Sequence, residues 1–405
     1  MKYIHSSYYG KTKLIHLFNH ATDFDKTFEA IQRERKKNAF FLELTDSNNI
    51  SLWYNITDET KENIEAIKNL GRHKIEDIIP DQYKPTSLKE TLIDEALGSS
   101  SIEGAYSTRR QAKEMIDKNL KPKNKSQMMI KNNYKGLLFT FKKIDEPITK
   151  NFVLDLWKIL TEKTLKKEDI TTGYRDDRVF IQNAVSGERI HEGAPADQLD
   201  KKMNALYDFV NNYTIDEALI KACILQYYFL DLHPFFDGNG RTARALMNKY
   251  LISQGYTFFK YFSISKILSE KRSQYYAAIK KCQNHDNDLT FFIDFYTKLM
   301  LETLTSIKET YLARYIPIII QSFLKELMIP LNDRQIDAIN FFFKTKKLQI
   351  DNKMYQKKFS VTQETARKDL DKLVSLGIIS KKTKGKKFVY RKKSLSDIIE
   401  FLDDI

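Results

Sequence analysis

Cysteine, proline and glycine are scarce in this chain, and long apolar runs are missing. Two cysteines in 405 residues, Cys223 and Cys282, cannot build a disulfide framework. Both lie in apolar, helical-looking surroundings and are expected to be reduced core thiols of a cytoplasmic protein. With only 8 prolines and 13 glycines there is no low-complexity tract, and no internal repeat is visible. No apolar stretch approaches the ~20 residues that span a bilayer. The nearest, 311 to 320, is interrupted by Arg314 and Pro317. No uninterrupted apolar run follows Met1-Lys2-Tyr3-Ile4-His5-Ser6, so neither a secretory leader nor a membrane partner is expected. Acid is short against base: 53 Asp and Glu face 67 Lys and Arg, a formal net charge of +14.

What remains suits a soluble globular protein, with 42% hydrophobic and 30% charged residues and length enough for two or three domains. The most informative stretch is Asp231-Leu232-His233-Pro234-Phe235-Phe236-Asp237-Gly238-Asn239-Gly240-Arg241-Thr242-Ala243-Arg244. Apolar helical patterns flank it on both sides. Gly238 and Gly240 permit unusual backbone angles and close approach of a ligand. Amides there, with the following helix's dipole, make an anion receptor. Arg241 and Arg244, three apart, share a helix face and suit a polyphosphate. Asp237 fits such a site if it holds Mg²⁺ carried by a nucleotide. His233 is the one side chain there able to be a neutral base near pH 7.

This stretch resembles the Fic family motif, His-x-Phe-x-(Asp/Glu)-Gly-Asn-Gly-Arg-x-x-Arg, at His233, Phe235, Asp237, Gly238, Asn239, Gly240, Arg241 and Arg244. Upstream, Ser99, Glu103 and Gly104 resemble the inhibitory motif (Ser/Thr)-x-x-x-Glu-(Gly/Asn) of the subclass with an N-terminal inhibitory helix. Ser99 and Glu103 are four apart, hence stacked if helical. The resemblance implies that Glu103 pairs with Arg244 and keeps it from the γ-phosphate of ATP.

Other expectations follow in chain order. Residues 38–44 and 50–56 flank a polar turn and read as a hairpin, with Trp53 as a packing residue. A helix from Asp58 to Leu70 is stopped by Gly71. A helix from Leu88 ends near Gly98 and the serines that follow. Arg178 to Ile181 and Glu188 to His191 read as a second hairpin turning at Ser186-Gly187. In the Fic resemblance this is the flap over the active site, where Val179, Phe180, Ile181, Arg189 and Ile190 dock the target by strand pairing. Gly173 and Arg175 also match the family's spacing, whereas Glu192 to Asp197 departs from the paired prolines of the family. Tyr275, Tyr276 and Gln283 are candidates for stacking on or bonding adenine.

From 331 to 405, 18 Lys and Arg stand against 10 Asp and Glu, a net of +8. Helices at Asp333–Lys344, Lys353–Phe359 and Thr362–Leu376, followed by strands around the basic tip Lys384-Gly385-Lys386-Lys387, resemble a winged helix-turn-helix.

The expected protein is mostly α: an N-terminal α/β substructure over 1–85, an inhibitory-helix segment over 86–130, a helical Fic core with its hairpin flap over 131–328, and a winged helix over 331–393. The resemblance implies a protein adenylyltransferase using ATP and Mg²⁺. Its nucleotide would bind over Asp237, Gly238, Asn239, Gly240, Arg241, Thr242, Ala243 and Arg244. AMP would pass to a Ser, Thr or Tyr hydroxyl of a target protein. Glu103 and Ser99 would act as the brake, with AMP removal a further activity open to Glu103. Three readings rival it: a nucleotide-sensing DNA-binding regulator, a Fic transferase with another donor such as UTP, and a helical scaffold with an incidental anion site. A homodimer is left open.

Overall fold

The computed structural model describes residues 5–18, 24–72, 75–182, 189–215, 217–345, 349–385, 387–394, 397–398 and 400. The chain divides into two compact units, Met1–Lys74 with Pro85–Thr305, and Ile75–Lys84 with Ser306–Ile405.

The first unit begins with α1 (Lys11–Leu17) and α2 (Phe24–Lys37). A two-stranded hairpin follows, β1 (Phe40–Thr45) and β2 (Ser51–Tyr54), then α3 (Asp58–Arg72). The hairpin expected from the sequence is present, paired Phe40 to Tyr54 and Phe41 to Trp53. Trp53 is buried and donates its indole N–H to Asp286 O at 2.7 Å. Gly71 does not stop α3. The Phe258 ring lies against it where a Cβ would stand, so glycine there serves close packing within the helix.

The short α4 (Ile75–Ile78) belongs to the second unit, and α5 (Lys84–Ile102) returns to the first. Here the expected helix end at Gly98 is corrected. The helix runs on through Gly98-Ser99-Ser100-Ser101, because the backbone of Ser265 and Lys266 comes to 2.5 Å from the position of a Gly98 Cβ. Glu95, also buried, accepts from Ser265 N at 3.0 Å and Ser263 Oγ at 2.8 Å. These contacts hold α5 in register and offset the cost of glycine and serine inside a helix. Next come α6 (Arg109–Asp117), α7 (Lys125–Lys142) and α8 (Lys150–Thr161).

The core is built on α10 (Ala218–Leu232) and α11 (Asn239–Ser253), which follow α9 (Leu199–Asn212). All of α10 except Ala218 and Leu230 is buried, as is all of α11 except Ser253. Helices buried on every side are central ones. Each fully buried Leu, Ile or Phe contributes about 1.5–3 kcal/mol. Then α12 (Ile264–Glu270), α13 (Arg272–Gln283) and α14 (Thr290–Glu326) follow. Between α8 and α9 lies the second hairpin, β3 (Phe180–Gln182) and β4 (Arg189–Glu192), paired Phe180 to Glu192 and Ile181 to His191. The turn expected at Ser186-Gly187 lies outside the described residues.

The second unit carries α15 (Asp333–Lys344), β5 (Ile350–Asp351), α16 (Asn352–Phe359), α17 (Gln363–Ser375), β6 (Ile379–Lys384) and β7 (Lys387–Lys392). Its sheet is antiparallel in the order β5-β7-β6. Ile339, Phe342, Tyr355, Leu370, Leu373 and Tyr390 fill its core. Ser360 turns the chain between α16 and α17 with φ of 53°. No described helix is long and apolar enough to cross a membrane.

Candidate active site

The site lies where α10 ends and α11 begins. His233 caps α10 in the left-handed region, φ 50° and ψ 60°, with its N–H on Phe229 O at 3.1 Å. For a non-glycine residue this conformation costs on the order of 1–3 kcal/mol, so its surroundings must hold it. They do so from two sides. Phe235, fully buried, stacks on Trp157 with ring centroids 4.3 Å apart. The Asn239 side chain grips both edges of that residue, accepting from Phe235 N at 2.9 Å and donating to Phe235 O at 2.6 Å. Asn239 therefore shapes the loop and has its amide engaged there, a more internal place than the nucleotide contact expected.

The imidazole of His233 is mostly covered, with Nδ1 3.3 Å from Leu230 O. Burial pushes its pKa down to about 4, the Leu230 carbonyl opposing. Around neutral pH the ring is a neutral base.

Gly238 takes φ of 91°, and a Cβ there would lie 2.6 Å from Thr161 Cγ2. A side chain is thus excluded twice. Thr242 Oγ1 donates to Gly238 O at 2.9 Å, and Ala243 is a fully buried packing residue. Arg241, fully buried, donates to Leu160 O at 2.9 Å and to Asp237 Oδ1 at 3.1 Å. Arg244 donates from Nε to Ser99 Oγ at 2.9 Å, and from Nη2 to Ser99 O at 2.8 Å and to Glu103 Oε1 at 2.9 Å. Among the described residues, two buried guanidinium atoms of the site, Arg241 Nε and Arg244 Nη1, have no hydrogen-bond partner. Orphaned buried donors call for an explanation, and an anionic ligand supplies one.

The Glu103 carboxylate supports this. It stands over Gly240, where any Cβ would collide with Oε1. A protein carboxylate thus takes the place above the first turn of α11 that the helix dipole and Arg244 suit to a phosphate oxygen. The donor set fits a polyphosphate. Asp237, about one-third exposed, is the carboxylate nearest to it in the loop. Among the described residues no group of three or more His, Cys, Asp or Glu could hold a metal. A cation here would draw most of its ligands from the phosphates it arrives with.

The other expected site residues divide. Tyr275 is buried, its hydroxyl accepting from Gln226 Nε2 at 3.1 Å and its ring among Phe292, Phe295 and Tyr296. Tyr276 is the outer ring of the pair, 39% exposed, with the Arg272 guanidinium 5.6 Å from its centroid. Gln283 turns to the hairpin, with Nε2 donating to His191 Nδ1 at 2.9 Å. His191 Nε2 in turn lies 2.8 Å from Asp231 O. Val179 O accepts from Gly193 N at 3.1 Å, beside Phe180. The side chains of Ile181, Arg189 and Ile190 lie outside the described residues. The sequence reading assigned no role to His191 or Asp231, although both lie in stretches it marked, and it did not mark Trp157. Trp157 lies 80 residues from the Asp237 carbonyl it bonds, so nothing local in the sequence marks it.

Residues 147–251 match the family model described as the Fic/DOC family. A protein adenylyltransferase Fic of Nematostella vectensis is 28% identical over 236 residues, covering 56% of this chain and 50% of the relative. A protein of the same name from Drosophila grimshawi is 34% identical over 103 residues, covering 25% of this chain and 20% of the relative. The chain thus spans half or less of the length of these relatives. Among solved structures, a Fic family protein from Desulfovibrio desulfuricans superposes with a TM-score of 0.55 at 18% identity, covering 84% of this chain and 98% of that one. A Fic domain containing signaling protein from Bacteroides thetaiotaomicron gives a TM-score of 0.52 at 21% identity, over 63% of this chain and 97% of that one. These two likenesses bear on the fold alone, a helical Fic core.

Proposed function

From a Fic/DOC family domain at residues 147–251, we propose that this protein is a nucleotidyltransferase that moves AMP from ATP to a hydroxyl of a target protein. The observation that carries this is the pairing of a mostly covered, neutral His233 with an anion receptor one loop away. His233 takes the proton from a Ser, Thr or Tyr hydroxyl lying under β3 and β4. The freed oxygen attacks the α-phosphorus in line, the bond from that phosphorus to the bridging oxygen breaks, and pyrophosphate leaves with the electron pair. Amides at the start of α11 receive the α-phosphate, and Arg241 and Arg244 neutralise the leaving diphosphate. Asp237 would hold Mg²⁺, which would draw charge off the phosphate oxygens. Tyr276, the more exposed of the two tyrosines, borders the base.

Glu103 is the brake on this reaction. With its carboxylate over Gly240 and bonded to Arg244, the γ-phosphate lacks both its place and its cation. Swung away, the same carboxylate can activate water to remove AMP from a modified target. The test is mass spectrometry of the Glu103→Gly protein with Mg-ATP, alone and with cell lysate. An added AMP mass supports the reading, and unmodified protein in both arms overturns it. A UMP mass in a parallel UTP arm would change the donor but keep the chemistry.

The second unit is read as a winged helix that binds duplex DNA. Three of its acids are engaged within the unit: Asp369 is buried against Arg334 at 2.5 Å, Asp371 pairs with Lys381 at 2.8 Å, and Asp351 caps α16. Lys357, Lys358, Arg367, Lys382, Lys384 and Lys387 are left exposed. Buried free thiols at Cys223 and Cys282 suit a reducing cytoplasm.

A further inference from the structure

Arg175 is nearly sealed from solvent, and among the described residues its hydrogen-bond partners are all backbone carbonyls. Its Nε donates to His233 O at 2.8 Å, Nη1 to Asp177 O at 2.5 Å, and Nη2 to Leu232 O at 3.3 Å and to Ala194 O. Its own N–H donates to Pro234 O at 2.9 Å. Asp177 lies just before β3 and Ala194 just after β4, so one guanidinium joins both feet of the hairpin to Leu232 and to the left-handed His233 itself, while the Arg175 main-chain N–H holds Pro234. The stitching is reinforced by Ala194 N on Leu232 O at 3.1 Å. Gly193 sits in the crease. A Cβ there would lie 2.7 Å from Arg175 Nη2 and 3.0 Å from His233 Cβ.

We propose that Arg175 is a positioning residue that makes the catalytic imidazole and the β3–β4 hairpin one rigid piece, so that a target strand paired to the hairpin presents its hydroxyl at a fixed place relative to His233. A planar fork of five donors can reach several carbonyls at once, and a lysine ammonium cannot. Arg175 touches neither nucleotide nor hydroxyl in this scheme. Its loss should change how the reacting groups are aligned, not whether ATP binds. A misplacement of the base by about 1 Å costs roughly 100-fold in rate. This inference rests on the adenylyl-transfer reading for its kinetic test, and a second readout frees it from that dependence.

The experiment compares full-length Glu103→Gly protein with the same protein carrying Arg175→Gln, Arg175→Lys or Gly193→Ala. Self-labelling from α-labelled ATP is followed against ATP concentration, ATP binding is followed by calorimetry, and the His233 ring is titrated by NMR. Arg175→Gln should lower the maximal rate about 100-fold while half-saturating ATP stays within about twofold, and Arg175→Lys should fail to restore the rate. Gly193→Ala, which wedges the same crease, should lower the rate with the fold and ATP binding kept. In all three the His233 titration should move up from about 4 towards the ordinary ~6.5. A full rate in Arg175→Gln, or equal loss of rate and ATP binding, overturns the proposal. If Arg175→Gln does not fold, Gly193→Ala decides, and an unchanged rate there overturns it. If the Glu103→Gly parent itself never labels, adenylyl transfer has failed and the ring titration alone judges Arg175, an unmoved titration overturning the proposal.

Discussion

The carboxylate of Glu103 fills the space that a side chain on Gly240 would need, and Glu103 is bonded at the same time to Arg244 at 2.9 Å. The protein's own anion is thus seated at the head of α11. A charged hydrogen bond of this kind is worth about 1.5–3 kcal/mol, and it must be given up when a phosphate takes the same position. Glu103→Gly should therefore tighten ATP binding by roughly 10- to 100-fold, read by calorimetry. Glu103→Gln, which keeps the bulk without the charge, should fall between. Equal affinities in all three would separate the carboxylate from nucleotide binding.

His233→Ala on the Glu103→Gly background should cut adenylyl transfer by roughly 10²–10⁴-fold with ATP affinity nearly unchanged. Radiolabel transfer and calorimetry on one preparation give both numbers. Loss of ATP binding together with labelling would make His233 a structural residue of the loop.

Burial holds His233 well below its ordinary pKa, at about 4. The folded state therefore binds this proton more weakly than the unfolded chain. Its contribution to stability is present above the unfolded pKa of ~6.5 and is lost as pH falls through that value towards 4. In kinetics the same shift keeps the base neutral at pH 5.5. The acid limb of the labelling rate should lie near pH 4, and a midpoint near 6.5 would mean that the ring is solvated.

Gly98 has the Ser265–Lys266 backbone 2.5 Å from the place of its Cβ. Gly98→Val should destabilise the first unit by about 1–3 kcal/mol, measured by denaturant melts. It should also raise basal labelling, because Ser99 sits on this helix and Glu103 follows its last residue, Ile102, so both depend on its register. A lower midpoint without any gain in labelling would uncouple helix seating from the brake.

In the second unit, combining Lys382→Glu, Lys384→Glu and Lys387→Glu should weaken binding to random duplex DNA and flatten its salt dependence. Each lost phosphate contact removes roughly 0.9 from the slope of log K against log salt. Fluorescence anisotropy at several salt concentrations measures this. An unchanged slope would turn the basic face towards a protein partner.

Much of the fold was legible because its signals are local. The loop from His233 to Arg244 carries its glycines, arginines and histidine in one run, and the alternating pattern around Trp53 announced its hairpin. The misreadings came where a distant backbone decides a residue's meaning. Gly71 and Gly98 look like helix stops by type, yet each is a place where another segment presses against a helix. Tyr275 and Gln283 carry groups suited to a base, and only packing shows that one is sealed among rings and the other serves His191. Arg175 was visible as part of a motif. Its role was hidden because carbonyl oxygens, identical at every residue, leave no mark in a sequence.

The stack of Trp157 on Phe235 has a practical side. The chain has two tryptophans, and this one also donates its indole N–H to Asp237 O at 2.9 Å. An indole so placed is a built-in fluorophore on the floor of the loop. With Trp53 replaced by phenylalanine, its emission would report occupancy of the loop in real time, without any attached dye.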